Sequence, residues 1–196
     1  MYYIISNENI DSIRLDMITN ARFLYNLTKE NITKALNGLI NMTILDCSDC
    51  ENLDYLPFCK KLLELNCSNS FIRFISYLPN LVSLNCSECY YLQHISHLPN
   101  LTNLVCYHNK NLLSIVSLPK VTDISCYSSN KLKYIYDISN LKYLNCKGCV
   151  ELMTIDCKVD RLLCDDCPKL KTKNTNICYL IYTFLIVILS ILASYS

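Results

Sequence analysis

The sequence predicts a solenoid in which short parallel β-strands stack coil upon coil and extended or single-turn 3-10 segments return behind them. Three observations lead to this reading. A Leu-x-Cys tripeptide, once with Ile for Leu, recurs at Leu45-Asp46-Cys47, Leu65-Asn66-Cys67, Leu84-Asn85-Cys86, Leu104-Val105-Cys106, Ile124-Ser125-Cys126, Leu144-Asn145-Cys146 and Leu162-Leu163-Cys164. The cysteines of successive units are 20, 19, 20, 20, 20 and 18 residues apart, and a fixed period of this length marks a repeat architecture. Most units also share one apolar skeleton, as in Leu81-x-x-Leu84-x-Cys86-x-x-Cys89-x-x-Leu92-x-x-Ile95-x-x-Leu98-Pro99, after which the next unit begins at Leu101.

The strand comes first. Leu45 and Cys47 are two residues apart and point the same way from an extended chain, so both face inward. One coil cannot bury that face alone, and stacking places neighbouring strands about 4.8 Å apart in a parallel sheet. The return follows. Segments such as Leu92-x-x-Ile95-x-x-Leu98 close the core from behind, and units this short leave no room for a full helix. Pro57, Pro79, Pro99 and Pro119 suit such a return, because each lacks an N–H and favours an extended residue before it.

This pattern resembles the leucine-rich-repeat family, L-x-x-L-x-L-x-x-N/C-x-L, with Cys at the inward position usually held by Leu. The likeness is to its short subclass of about 20 residues, and it covers roughly residues 39–170 in seven in-register units. It implies a leucine-rich-repeat solenoid, of the α/β class by family but here mostly strands, that binds another macromolecule on its concave sheet. Richness in Asn, Ile, Lys and Tyr, with Leu-Pro-Asn-Leu units, is also similar to repeat proteins multiplied in AT-rich genomes, including those of large DNA viruses.

The ends need covers, because terminal coils otherwise expose core. Residues 1–38 are expected to form a helical amino-terminal cap: Ile10, Ile13, Met17, Leu24 and Leu27 fall near helical spacing, and Ala21 and Ala35 are good helix formers. After a basic and polar linker, 171–176, the run 177–195 carries no charge and approaches the ~20 residues that span a bilayer as a helix. Lys169, Lys171 and Lys173 precede it and favour a cytosolic repeat domain. The arrangement resembles a single-pass tail anchor, the alternatives being a hydrophobic cap on the last coil or a reading-frame remnant.

Composition narrows the function. The chain has 196 residues, 52% of them apolar, which suffices for one domain with a sizeable core. A net charge of +1 gives no global field toward nucleic acid, so the expected partner is a protein. Two glycines exclude Gly-rich phosphate loops and leave asparagine for left-handed turn positions. The first residues contain no basic region followed by an unbroken apolar stretch, so no signal peptide is expected, and the 14 cysteines are read as reduced thiols.

Four Cys-x-x-Cys pairs invite a metal or thiol-redox reading: Cys47/Cys50, Cys86/Cys89, Cys146/Cys149 and Cys164/Cys167. The last two have near zinc-ribbon spacing, so Cys146, Cys149, Cys164 and Cys167 are the one credible zinc set. However, the second cysteine falls in a column that reads Cys50, Ser70, Cys89, Asn109, Ser129, Cys149 and Cys167. A small polar group bonding a turn tolerates those exchanges, and a zinc ligand does not. The column is therefore read as structural, with no cofactor.

Nor is an enzyme expected. His94 and His97 fall on the return at non-core positions, and His108 has no repeat-partnered acid beside it, so no triad assembles. A purely structural role without a dedicated ligand stays open. The residues that alternate with Leu and Cys must face outward, and among them Tyr107, Tyr127 and Tyr143, with His108, Asn103 and Asp123, fall on three consecutive coils. Grouped tyrosines on a rigid sheet make good anchors, so this concave patch is the expected partner-binding site.

Overall fold

The computed structural model describes residues 1–75 and 77–171. Its elements in chain order are β1 (Tyr3–Ile5), a 3-10 turn (Leu15–Met17), β2 (Asn20–Phe23), α1 (Lys29–Gly38), β3 (Ile44–Asp46), β4 (Glu64–Asn66) and β5 (Ser83–Asn85). They continue as β6 (His94–Ser96), β7 (Asn103–Val105), β8 (Ser114–Val116), β9 (Asp123–Ser125), β10 (Tyr134–Tyr136), β11 (Tyr143–Asn145), β12 (Thr154–Asp156) and β13 (Arg161–Leu163).

These strands form a parallel β-solenoid. One sheet has nine strands in the order β1-β2-β3-β4-β5-β7-β9-β11-β13. Its register puts Leu45, Leu65, Leu84, Leu104, Ile124, Leu144 and Leu162 directly side by side. That is the inward file expected from the Leu-x-Cys signal, and its members through Leu144 are buried. The cysteines two residues on form a second file: Cys47, Cys67, Cys86, Cys106, Cys126 and Cys146 are fully buried, whereas Cys164 in the last described coil is only half-buried.

The return differs from expectation. It carries its own four-stranded parallel sheet, β12-β10-β8-β6, with Ile95, Ile115, Ile135 and Ile155 in register and facing the core. A β-branched residue recurring every coil favours strand, and neighbours in register supply the ladder that a lone 3-10 turn would lack. The turn after the return is tied to the coil before it by asparagine in three units. Nδ2 of Asn80, Asn100 and Asn140 donates to the carbonyls of Lys60, Pro79 and Pro119, respectively.

The amino-terminal region is corrected too. It holds one helix, α1, with Thr28 as N-cap accepting from the Asn31 N–H, but also two strands that extend the nine-stranded sheet. Ile10 and Leu27 are buried off any helix, and Met17 is exposed. The near-helical spacing there arises from irregular coils whose inward residues, such as Ile5, Ala21 and Phe23, already follow the strand pattern. Gly38 lets α1 approach the 3-10 turn, since a Cβ there would lie 2.8 Å from the Leu15 Cβ.

Each coil turns out of its strand through a residue in the left-handed region: Asp49, Asn69, Glu88, His108, Ser128, Gly148 and Asp166, with φ between 53° and 68°. Asparagine was expected at these positions, yet only Asn69 occupies one. The strain on the other side chains is offset by ladder bonds, since the N–H of each of the first six donates to a carbonyl of the next coil at 2.7–3.0 Å.

Candidate binding surface

The second column of the Cys-x-x-Cys pairs is a hydrogen-bonded ladder inside the solenoid. Sγ of Cys89, Cys149 and Cys167 donates to the carbonyls of Cys67, Cys126 and Cys146 at 3.1, 3.2 and 3.0 Å, and the Ser129 hydroxyl donates to the Cys106 carbonyl at 3.2 Å. Asn109 does more. Its Nδ2 reaches the carbonyls of both Cys86 and Cys106 at 2.9 Å, and its Oδ1 accepts from the Cys89 N–H at 2.7 Å. Cys, Ser and Asn thus share one task, which is to satisfy carbonyls that leave the ladder at the corner.

Most of the inward thiols are hard to ionise, whereas hydrogen bonds, chiefly with Cys67 and Cys146 respectively, lower Cys89 and Cys167. Burial pushes Cys47, Cys86 and Cys106 well above the usual thiol range, and burial with the nearby Asp46 and Asp49 carboxylates raises Cys50 to about 12. Cys146 is raised by its hydrogen bond with Cys167 and by burial. Cys47, Cys67, Cys86, Cys106, Cys126 and Cys146 are free thiols. Cys146, Cys149, Cys164 and Cys167 lie on adjoining coils, but among the described residues no group of three or more His, Cys, Asp or Glu is arranged to hold a metal.

The outer face of the nine-stranded sheet is ordered by a local motif. Oδ1 of Asn66 and of Asn85 accepts from both the N–H and the hydroxyl of the serine two residues on, Ser68 and Ser87, and Asp46 does the same for Ser48. Asp46 also takes Nδ2 of Asn66 and the Arg22 guanidinium, 2.9 Å away. Where this motif ends, rings replace the serines. Tyr107 and Tyr127 occupy the column of Ser48, Ser68 and Ser87, one coil apart, and stack with centroids 4.7 Å apart and planes 12° apart. His108, in the corner, meets both rings edge-on at 5.4 and 5.2 Å. Parallel strands supply the spacing, since their ~4.8 Å separation is close to a stacking distance.

Tyr107, Tyr127 and His108 are thus brought together as expected. Tyr143 is not part of their stack: it lies at the start of β11, with the Arg161 guanidinium 5.5 Å from its ring centroid. Asn103 and Asp123 are exposed neighbours in the first outward column, and Asp123 accepts from the Thr122 hydroxyl. Burial, Tyr107 and the Glu88 carboxylate raise the Tyr127 phenol.

A second aromatic group escaped the sequence reading. Phe71 and Tyr91 meet edge-on at 5.4 Å, Arg73 lies 5.5 Å from the Tyr91 centroid, and with Lys29 and Asp54 they line a cavity of about 230 Å³. The one-residue deletion between Cys67 and Cys86 hid that alignment, because it shifts Phe71 beside Tyr91. His94 and His97 are exposed, hydrogen-bonded to Ser114 and Ser96.

No family model matches the chain, and no curated protein or solved structure matches it either. Among the described residues no helix is long and apolar enough to cross a membrane, and the run 177–195 lies outside them.

Proposed function

We propose that this chain is a leucine-rich-repeat protein that binds a protein partner on the outer face of its nine-stranded sheet, with Tyr107 and Tyr127 as anchors. The observation that carries this reading is the stacked, half-buried tyrosine pair flanked by His108. Rigid aromatic side chains lose little entropy on binding and dominate interface energetics. The sheet beneath them is fixed by ladder bonds and by the interior column, so the anchors are preorganised.

The uncharged run 177–195, as a helix, is the proposed membrane tether, with the repeat domain cytosolic. Its length and the lysines before it support this part of the reading. No catalytic role is proposed.

The experiment is co-purification from intact cells. Tyr107→Ala with Tyr127→Ala should lose the partner while the chain stays folded, and Tyr134→Ala, on the return sheet, should keep it. A folded double variant that recovers its partner as well as Tyr134→Ala overturns the site.

A further inference from the structure

Charge is not spread evenly over this solenoid. Over β3, β4, β5, β7 and β9, the outward strand positions and the left-handed corners carry Asp46, Asp49, Glu64, Glu88 and Asp123, and not one Lys or Arg. Asp46 is neutralised by Arg22, which leaves four carboxylates. Since the whole chain is +1, the balancing cations lie beyond this stretch: Lys147, paired with Asp165, and Arg161 follow on the same face past β9, and Lys110, Lys131 and Lys133 lie at the turns and on the return. The stacked tyrosines sit at the carboxyl-terminal end of this acidic stretch, with Glu88 one coil before His108.

The chain itself indicates what such rings accept. Three other tyrosines among the described residues each have a cation over the ring: Arg161 on Tyr143, Arg73 on Tyr91 and Lys110 on Tyr90, at 5.5, 5.5 and 4.7 Å. For Tyr107 and Tyr127 the ring neighbours among the described residues are each other and His108, with no cation of the chain over either. A guanidinium is planar, weakly hydrated, and able to stack on a ring while it pairs with a carboxylate.

Resting on the reading of this face as a partner site, we infer that its ligand is a basic, arginine-bearing segment of a protein. An arginine stacks at Tyr107 and Tyr127, and its neighbours pair with Glu88, Asp123, Glu64 and Asp49. Attraction of opposite charges along the face steers such a segment and weakens with salt. Burial of the guanidinium against the rings adds a preference for arginine over lysine that charge alone does not give.

The test uses the full chain in a nonionic detergent and three labelled probes, nona-arginine, nona-lysine and nona-glutamate, followed by fluorescence anisotropy. Nona-arginine should bind about threefold or more tighter than nona-lysine, and nona-glutamate not at all. Glu88→Gln with Asp123→Asn should weaken both basic probes about tenfold. Tyr107→Ala should abolish the arginine preference, whereas Tyr107→Phe, which keeps the ring, should preserve it and guards against a folding defect. Equal binding of nona-arginine and nona-glutamate, or an arginine affinity indifferent to the carboxylate and the tyrosine variants alike, overturns the inference. If cells yield a partner that depends on Tyr107 and Tyr127 while nona-arginine fails to bind, the site stands and only the ligand chemistry falls.

Discussion

Sγ of Cys149 donates to the carbonyl oxygen of Cys126, one coil back, at 3.2 Å. This contact repeats along the solenoid with different side chains, and it explains why cysteine, serine and asparagine alternate in one column. A buried carbonyl left without a donor costs about 1–3 kcal/mol. Cys149→Ser should therefore be nearly neutral and Cys149→Val should cost that amount in urea denaturation, despite its similar size. Equal midpoints for the two variants would show that the bond contributes nothing.

Asn109 joins two carbonyls and one N–H from the corners of two adjoining coils. Asn109→Leu should be the most damaging change in that column, at about 2 kcal/mol or more, because the Cys89 N–H and the Cys86 carbonyl lose this partner together, while the Cys106 carbonyl keeps the Ser129 hydroxyl. A loss no larger than that of Ser129→Ala would contradict the ladder.

Stability should fall in alkali. The Cys50 thiol is held up to about 12 and Cys157 to about 11, chiefly by burial, with nearby carboxylates adding to it. Unfolded thiols ionise near ~8.5. Between these limits the unfolded chain has released protons that the folded chain keeps, so rising pH favours unfolding. The contribution of Cys50 is fully present below about pH 8.5 and disappears toward about pH 12. With reductant present, the urea midpoint should drop across that window, and less steeply for Cys50→Ala. Parallel slopes would mean that Cys50 titrates alike in both states.

The left-handed corners give a backbone test. Gly148, with φ 68°, has only ordinary contacts where a Cβ would go, the nearest being the Ser128 Oγ at 3.5 Å. Space is available, so the cost of substitution is conformational. Gly148→Asn should cost under about 1 kcal/mol and Gly148→Val about 2, because a β-branched residue resists this region. Thermal midpoints that rank the other way would place the strain elsewhere.

Much of this architecture is written in the chain. Leu and Cys two apart, repeated seven times, define the inward face, the register and hence which side chains point out. The return sheet is harder to see, because a three-residue strand such as Tyr134-Ile135-Tyr136 contains a single inward residue and no measurable alternation. The β-branched isoleucine at 95, 115, 135 and 155 was the available signal. The tyrosine stack is half legible: the column placed Tyr107 beside Tyr127, whereas Tyr143 belongs to another column and meets Arg161. The Phe71, Arg73 and Tyr91 group depends on a deletion whose position only the packing reveals.

The tyrosine face of the nine-stranded sheet is proposed to meet the partner. A photo-crosslinking side chain placed at position 107, with a second variant carrying it at position 134, tests it in intact cells. Tyr107 lies in the turn that follows β7 of that sheet and Tyr134 on the return sheet, so one protein is probed at two separate places. A specific adduct is expected from position 107 and none from position 134. An adduct from position 134 alone would contradict the proposed site.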